Sequence, residues 1–292
     1  MSKAQYWFNR ARVEHFAIGA FNAASMEPLK AIASAAKNQK SPVMIEASHG
    51  EVTYFGIREL VGVVRAMEQS YEVPIILNLD HAPDFDSCKN AIDMGFDYVH
   101  LDGSKLPLQE NIEMAKKLVD LAHQKEILVE GEIDNINVMG ASSADHRHES
   151  ADAVRDTRYY TDPQKALDFV RQTGVDTFAS FVGNVHGLYN GPKTIDLNLL
   201  RQIKLILGDK FLSLHGGSGI PDNDITSAIG IGIVKVNVNS ELRIAFHDKL
   251  KAILDGPEGD EVAIYKIMPD AISAMQQIVE TKIKLFGSAG KL

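Results

Sequence analysis

The chain of 292 residues has a single cysteine, Cys88, so it cannot form an internal disulfide. A lone thiol is typical of proteins from reducing compartments. The sequence also lacks any run approaching the ~20 apolar residues of a membrane-spanning helix. Its first residues, MSKAQYWFNRARVEHF, contain no continuous apolar stretch of the signal-peptide type. We therefore expect a cytoplasmic protein that does not insert into a membrane.

An excess of positive charge is absent as well, because 30 Lys and Arg stand against 39 Asp and Glu, for a net charge of −9. Nucleic acids and anionic membranes require clustered basic side chains, so neither is expected as the main partner. The hydrophobic content of 45% is ample for a substantial core. At this length we expect one domain spanning residues 1–292.

Short apolar runs alternate with stretches of helical periodicity, which is typical of repeated βα units. Eight such runs close a (β/α)₈ barrel, and we therefore predict an α/β fold of the TIM-barrel type. The predicted strands are Ala17–Ala23, Pro42–Ser48, Pro74–His81, Tyr98–Ser104, Ile127–Asp134, Thr177–Gly183, Phe211–Gly217 and Ile233–Asn239. Helices are predicted between them, and Glu241–Asp255 and Pro269–Leu285 follow the last strand. The barrel needs only one of these two, so we expect an additional C-terminal helix.

Three histidines, His81, His186 and His215, stand just past predicted strands. The carboxyl ends of barrel strands meet at one face, where the active sites of such barrels lie. Three imidazoles converging there leave a divalent metal with an open coordination position, which is typical of a catalytic zinc site. The sequence therefore predicts one catalytic Zn²⁺.

The segment HGGSG, beginning at His215, combines a glycine-rich turn with the start of a helix. Several backbone N–H groups can point at one anion in such a turn, and phosphate is its natural occupant. Neither a Walker A loop nor a dinucleotide fingerprint is present at this position.

Residues 135–162 form a long polar interval after the fifth predicted strand. Loops of this length inside a compact domain are often functional, and this one leaves the catalytic face. We therefore expect an active-site lid at 135–162.

Taken in order, the motifs of this chain resemble the class II, zinc-dependent ketose-bisphosphate aldolases, the fructose- and tagatose-bisphosphate group. The segments that carry the resemblance are GAFNA, LDH, LDGSKLPLQENI, VEGE, TGVD, HGLY, LHGGSGIP, KVNVNSELRIAF and LFGSAGKL. They cover nearly the whole chain. The resemblance implies a barrel enzyme that reversibly cleaves a phosphorylated ketose to dihydroxyacetone phosphate and an aldehyde, and that assembles as a homodimer or homotetramer.

The resemblance also assigns residues. Zinc would be held by His81, His186 and His215, and Asp102 and Glu132 match positions that hold a second or alternative metal. Asp80 matches the catalytic acid. Substrate contacts carry over to Ser48, Gly187, Gly216, Gly217, Ser218, Asn237, Val238, Asn239 and Ser240.

The lid departs from the family pattern, since NINVMGASSADHRHESAD stands where a Gly-Gly-x-Glu-Asp sequence is usual. We predict Glu149 as the group that moves the proton on the ketone carbon, with Asp145, His146 and His148 as alternatives. Ala82 replaces a usual glycine after the LDH motif, which leaves the identity of the substrate open.

Three other functions remain open on the sequence. A Schiff-base aldolase would use a barrel lysine, and Lys235 shares strand parity with Asn237 and Asn239. A noncatalytic barrel subunit could support a partner aldolase, although such a subunit could lose the metal ligands that are kept here. Metal-dependent epimerisation of a phosphosugar is the third alternative.

Overall fold

The computed structural model describes residues 1–134, 145–150, 156–191, 193–257 and 259–292, and for 145–150 it describes the backbone. Ten strands are assigned in these ranges. They are β1 Ile18–Asn22, β2 Val43–Ser48, β3 Ile75–Ala82, β4 Tyr98–Asp102, β5 Leu128–Glu132, β6 Asp145–Ser150, β7 Thr177–Ala179, β8 Leu188–Asn190, β9 Phe211–Leu214 and β10 Ile233–Val238. Eight of them form a closed parallel barrel in the order β1-β10-β9-β7-β5-β4-β3-β2. The predicted (β/α)₈ barrel is therefore confirmed.

Eleven α-helices are assigned in the same ranges. They are α1 Lys3–Glu14, α2 Met26–Gln39, α3 His49–Phe55, α4 Ile57–Tyr71, α5 Phe85–Met94, α6 Leu108–His123, α7 Pro163–Thr173, α8 Leu197–Leu207, α9 Asp222–Ile231, α10 Ser240–Leu254 and α11 Ile264–Leu285. The additional C-terminal helix is α11, as predicted. None of the described helices is both long and apolar enough to cross a bilayer.

Side chains of the barrel interior lie in layers because alternate residues of each strand face inward. The layer nearest the amino ends of the strands is apolar and includes Met44, Ile76, Tyr98 and Leu128. In the next layer toward the carboxyl ends, the side chains are polar and buried: Glu46, Asn78, His100, Glu130 and Lys235. The layer after it lies at the carboxyl ends of the strands and contains Ser48, Asp80, Asp102, Glu132 and Asn237. The pattern of the strands thus places the polar residues at one end.

The amino end of the barrel is closed by α1, a helix that the sequence analysis did not predict. Trp7 and Phe8 of this helix are buried in one cluster with the apolar interior layer. The ring of Phe8 lies 5.4 Å from the rings of both Tyr98 and Phe211. Burial of aromatic surface on the barrel, rather than helix periodicity alone, therefore stabilises α1.

Three other predictions need correction. Helix α3 was missed, although Ser48 and Glu51 form a capping box at its start, which is a recognisable sequence signal. Strand β7 ends at Ala179, whereas the prediction ran to Gly183. The C-terminal helix begins at Ile264 and contains Pro269 internally, whereas the predicted helix began at Pro269.

Part of the predicted lid has regular backbone structure. Strand β6 pairs in parallel with β8 to form a separate two-stranded sheet, with Asp145 opposite Leu188 and His146 opposite Tyr189. A 3-10 helix at Thr157–Tyr159 follows. Residues 135–144 and 151–155 of the interval lie outside the described residues.

Candidate active site

The imidazoles of His81 and His215 meet at the carboxyl end of the barrel. Nε2 of His81 lies 3.0 Å from Nδ1 of His215. The opposite nitrogen of each ring faces a carboxylate, since Nδ1 of His81 is 3.0 Å from Asp102 and Nε2 of His215 is 2.8 Å from Glu130. If each of these outer nitrogens donates its proton to the carboxylate, the inner nitrogens present two lone pairs to the same space. Such a pair fits a shared cation, and imidazole is a ligand that zinc accepts readily.

His186 lies in the segment after β7, and its ring is close to the other two. Ring centroids are 5.2 Å apart for His81 and His186 and 6.0 Å apart for His186 and His215. Burial and the neighbouring His81 hold the pKa of His186 well below its usual value. Burial likewise lowers the pKa of His215 to about 3. Both rings are therefore neutral at physiological pH, which is the state that can bind a metal.

His100 is a fourth histidine at the site and was not among the predicted residues. It is fully buried, and its ring centroid lies 4.5 Å from that of His81 and 4.8 Å from that of His215. Its Nδ1 accepts the backbone N–H of His81 at 3.3 Å. The signal for it was the alternation of Tyr98, His100 and Asp102 in β4, which puts all three on the inner face. His100 lies inside β4, whereas the predicted site residues lie at or just past the ends of the strands.

Potential ligand atoms fall into two groups that share His81. One group is Asp80, His81, His100 and His215, and the other is His81, Asp102 and Glu132; within each group the atoms lie within 4.8 Å of one another. Nδ1 of His81 is 3.5 Å from Glu132 in addition to its contact with Asp102. Imidazole and carboxylate together suit zinc and other divalent metals. The donor set therefore fits a divalent metal, but the predicted ligand His186 is in neither group, and Asp80 and His100 stand beside His81 and His215 instead. A second position beside Asp102 and Glu132 is compatible with the set.

Asp80 lies beside the histidines and is held by amide groups. Its carboxylate accepts hydrogen bonds from Asn22 at 3.2 Å and from Asn237 at 3.4 Å. Burial disfavours the charged carboxylate, but His81 and His100 outweigh burial and hold the pKa of Asp80 well below its usual range. Asp80 is therefore an ionised carboxylate in a buried setting, the state that can accept a proton.

Below these groups, Lys235 is fully buried between two carboxylates. Its Nζ lies 2.8 Å from Glu46 and 2.8 Å from Glu130. Burial opposes its charge, but Glu130 and Glu46 outweigh burial and raise its pKa above its usual value. A Schiff base requires the neutral amine. The surroundings of Lys235 thus disfavour the Schiff-base alternative.

The glycine-rich turn follows β9 and is fixed by close backbone contacts. Gly216 has φ +58°, and a Cβ there would lie 2.4 Å from the carbonyl oxygen of Val185. No other residue type fits at this position without a backbone shift. The N–H of Gly217 donates to the carbonyl of Asn237 at 2.9 Å, which joins the turn to the end of β10.

The remaining predicted substrate contacts lie on the same face of the barrel. Ser218 and Ser240 are buried, and the hydroxyl of Ser218 accepts the N–H of Glu241 at 3.4 Å. Ser48 ends β2 and caps α3. Gly187 directly follows His186, Val238 ends β10, and Asn239 joins β10 to α10. The structure thus brings the predicted contacts to one rim, while the side chain of Glu149 lies outside the described residues.

Comparison with known proteins agrees with this geometry. The family profile described as fructose-bisphosphate aldolase class-II matches residues 2–291. Over 285 residues the chain is 35% identical to a 6-phospho-5-dehydro-2-deoxy-D-gluconate aldolase of Bacillus licheniformis, a match that covers 96% of this chain and 93% of the relative.

Solved structures show the same fold. The YdjI aldolase from Escherichia coli K12 superposes with a TM-score of 0.83 at 30% identity, covering 100% of this chain and 99% of the other. A fructose-bisphosphate aldolase from Campylobacter jejuni superposes with a TM-score of 0.80 over 100% of this chain and 97% of the other. Its identity of 22% means that this second likeness concerns the fold alone.

Proposed function

Because the chain belongs to the class II fructose-bisphosphate aldolase family, we propose that it reversibly cleaves a phosphorylated ketose to dihydroxyacetone phosphate and an aldehyde. The observation that carries this proposal is the convergence of two imidazole nitrogens, His81 Nε2 and His215 Nδ1, 3.0 Å apart beside the ionised Asp80. His186 supplies the third imidazole. A zinc ion held by these histidines would act as a Lewis acid toward the charge that develops on the ketone-side fragment.

Asp80 moves the first proton. In the cleavage direction its carboxylate accepts the proton of the hydroxyl on the departing aldehyde carbon, and the electrons of the breaking carbon–carbon bond remain on the ketone-side fragment. The amides of Asn22 and Asn237 hold the carboxylate in place. A second proton must then reach the ketone-side carbon, and we assign this transfer to Glu149 of the lid.

The substrate carries one phosphate at the glycine-rich turn. We place it against Gly187, Gly216–Ser218 and Asn239–Ser240, because these residues lie together at the carboxyl end of the barrel beside the histidines. The group at the other end of the ketose is either a second phosphate, as in fructose or tagatose 1,6-bisphosphate, or a carboxylate. The Bacillus licheniformis relative, whose name specifies a phosphorylated dehydrodeoxygluconate, supports testing the carboxylate.

A retro-aldol screen tests reaction and substrate together. Fructose 1,6-bisphosphate, tagatose 1,6-bisphosphate and 6-phospho-5-dehydro-2-deoxy-D-gluconate are each incubated with the zinc-loaded protein. Dihydroxyacetone phosphate is detected by its reduction with NADH and glycerol-phosphate dehydrogenase. We expect at least one substrate to be cleaved. Conversion to an isomeric ketose without release of dihydroxyacetone phosphate would instead establish the epimerase alternative.

We also propose a homodimer or homotetramer. Large apolar side chains that are at least half exposed lie at the end of α10, just before α11 and in its first turn: Leu254, Val262, Ile264 and Tyr265. Clustered exposed apolar surface is typical of protein interfaces. Light scattering after size exclusion would give the mass of the assembly, and a mass of one chain would contradict this proposal.

A further inference from the structure

Lys193 is a buried lysine that the proposed reaction does not use. Its side chain is 2% exposed. Nζ donates to three backbone carbonyls, those of Val185 at 2.8 Å, Gly187 at 3.1 Å and Gly216 at 2.5 Å. Within the described part of the chain, no carboxylate forms an ion pair with it. A buried ammonium with carbonyl oxygens as its acceptors is an unusual arrangement, because a buried charge is normally paired.

Those three carbonyls belong to peptide groups that shape the site. The carbonyls of Val185 and Gly187 lie in the peptide groups immediately before and after the His186–Gly187 pair. The carbonyl of Gly216 belongs to the first peptide group of the glycine-rich turn. Since a trans peptide is planar, fixing the direction of its carbonyl also fixes the direction of the following N–H. Lys193 therefore sets the orientation of the backbone in the two segments that follow the paired strands β7 and β9.

The rest of Lys193 is built into the same turn. Its backbone N–H donates to the carbonyl of Gly219 at 3.2 Å. The side-chain stem lies under the turn, because a Cβ placed on Gly219 would be 3.5 Å from Cε of Lys193. Glu241, which accepts the N–H of Gly219 at 3.0 Å, is paired with Lys282 at 2.9 Å. The charge of Glu241 is thus offset by another lysine, and the ammonium of Lys193 leaves net positive charge behind the turn.

The side-chain amide of Asn184 also connects the segment of His186 with the segment of His215, through hydrogen bonds that do not involve Lys193. Asn184 donates to the carbonyl of His215 at 3.2 Å, and its side-chain oxygen accepts the N–H of Val182 at 2.7 Å. The segment of His186 and the segment of His215 are therefore held together by one amide and one ammonium. Of these two groups, the ammonium alone carries a charge that an anionic ligand would sense.

We propose that Lys193 is a positioning residue for phosphate binding: its ammonium fixes the peptide groups next to His186 and at Gly216, and its charge favours an anion on the glycine-rich turn. This inference rests on the proposed function for the identity of the substrate phosphate. Burial lowers the pKa of Lys193 to about 7, whereas the three carbonyl acceptors favour the charged form.

The test measures inorganic phosphate binding to the zinc-loaded protein by calorimetry, together with KM and kcat for a cleaved ketose phosphate. Lys193→Met keeps the volume of the side chain and removes the charge. We expect the phosphate Kd and the KM to rise about 10- to 100-fold, the effect of losing a hydrogen bond to a charged group, with a smaller change in kcat. Lys210→Met is the matched control, because Lys210 also donates to two backbone carbonyls, those of Gly174 and Val175, away from the site.

Chemical rescue separates positioning from stability. Lys193→Ala leaves a space with the shape of propylammonium, and adding propylammonium chloride is expected to restore phosphate affinity. Lys193→Met fills that space and should not respond, and tetramethylammonium chloride controls for ionic strength. Refolding of the alanine variant by propylammonium without recovery of phosphate affinity would show a purely structural role and overturn the inference, as would an unchanged phosphate Kd in Lys193→Met.

The two proposals fail in different ways. A wild-type protein that cleaves ketose phosphates while Lys193→Met binds phosphate normally would keep the function and remove the role of Lys193. A wild-type protein that cleaves none of them, but whose phosphate affinity depends on Lys193, would keep the positioning role and remove the proposed reaction.

Discussion

Glu130 Oε1 lies 2.8 Å from Nε2 of His215, and both side chains are completely buried. The same carboxylate accepts a hydrogen bond from Ser213 and pairs with Lys235 at 2.8 Å. The hydroxyl of Tyr98 also donates to it at 2.9 Å, so three groups hold the carboxylate besides the imidazole. A carboxylate in this position fixes the ring tautomer and orientation, so that Nδ1 of His215 faces the space in front of His81.

Glu130→Gln tests this relationship. The amide oxygen can still accept a hydrogen bond from His215, but the amide no longer neutralises Lys235 or raises the basicity of the imidazole. We expect zinc affinity to fall about 10- to 100-fold, the usual effect of losing such a partner. Competition with a chelator measures the affinity. Glu126→Gln, at an exposed position paired with the chain terminus, is the control, and equal zinc affinity in both variants would contradict the role of Glu130.

The metal assignment itself predicts that His215→Ala loses bound zinc. The variant removes one of the two nitrogens that approach within 3.0 Å of each other, so a remaining site would have two of the three proposed imidazoles. Metal content after dialysis is the measurement. His123→Ala removes an exposed histidine bonded to Asp176 and should keep its zinc. Full occupancy with unchanged affinity in His215→Ala would exclude the assignment.

Asp80→Ala is expected to keep zinc and lose about 10²- to 10⁴-fold in turnover, the range typical of a general acid–base group. The three proposed histidine ligands of the metal remain in this variant, whereas the proton acceptor for the substrate hydroxyl is gone. Turnover and zinc content are measured on the same preparation. Activity within twofold of the wild type would show that Asp80 has no part in proton transfer.

Site residues at the carboxyl end of the barrel could be predicted from the sequence, whereas the contacts deeper along the barrel axis could not. Asp80, His81 and Asp102 were predictable because a polar residue at the end of an apolar run marks the carboxyl end of a strand. Lys235 and Glu130 lie one layer deeper. The alternation of residues in a strand shows only that these two side chains point inward. It does not show that they meet across the barrel, because Glu130 and Lys235 are 105 residues apart in the chain. The role of Lys193 depends on backbone carbonyls, which leave no trace in the residue types.

Lys235→Met tests the deeper layer. The substitution removes the cation and leaves Glu46 and Glu130 buried without it, so we expect the free energy of unfolding to fall by about 3–5 kcal/mol, as for other broken buried ion pairs. Urea denaturation gives the value. Borohydride added with substrate should not inactivate the wild type, since the amine is held in its charged form. Inactivation by trapping at Lys235 would revive the Schiff-base alternative.

The lid offers the last test. Backbone pairing places Asp145–Ser150 beside Leu188–Asn190, a segment that begins two residues after His186. If Glu149 moves the proton on the ketone carbon, Glu149→Gln should suppress the release of tritium from tritiated dihydroxyacetone phosphate far more than it weakens binding of that triose, because the lost step is proton transfer.

The neighbouring residues are the controls, since Asp145→Asn, His146→Gln and His148→Gln change other titratable groups of the same strand. A loss of exchange confined to one of them would move the assignment to that residue. Zinc binding should be unchanged in all four variants, because no proposed ligand lies in the strand. Exchange at the wild-type rate in every variant would reduce the lid to a gate that excludes water and would remove its role in proton transfer.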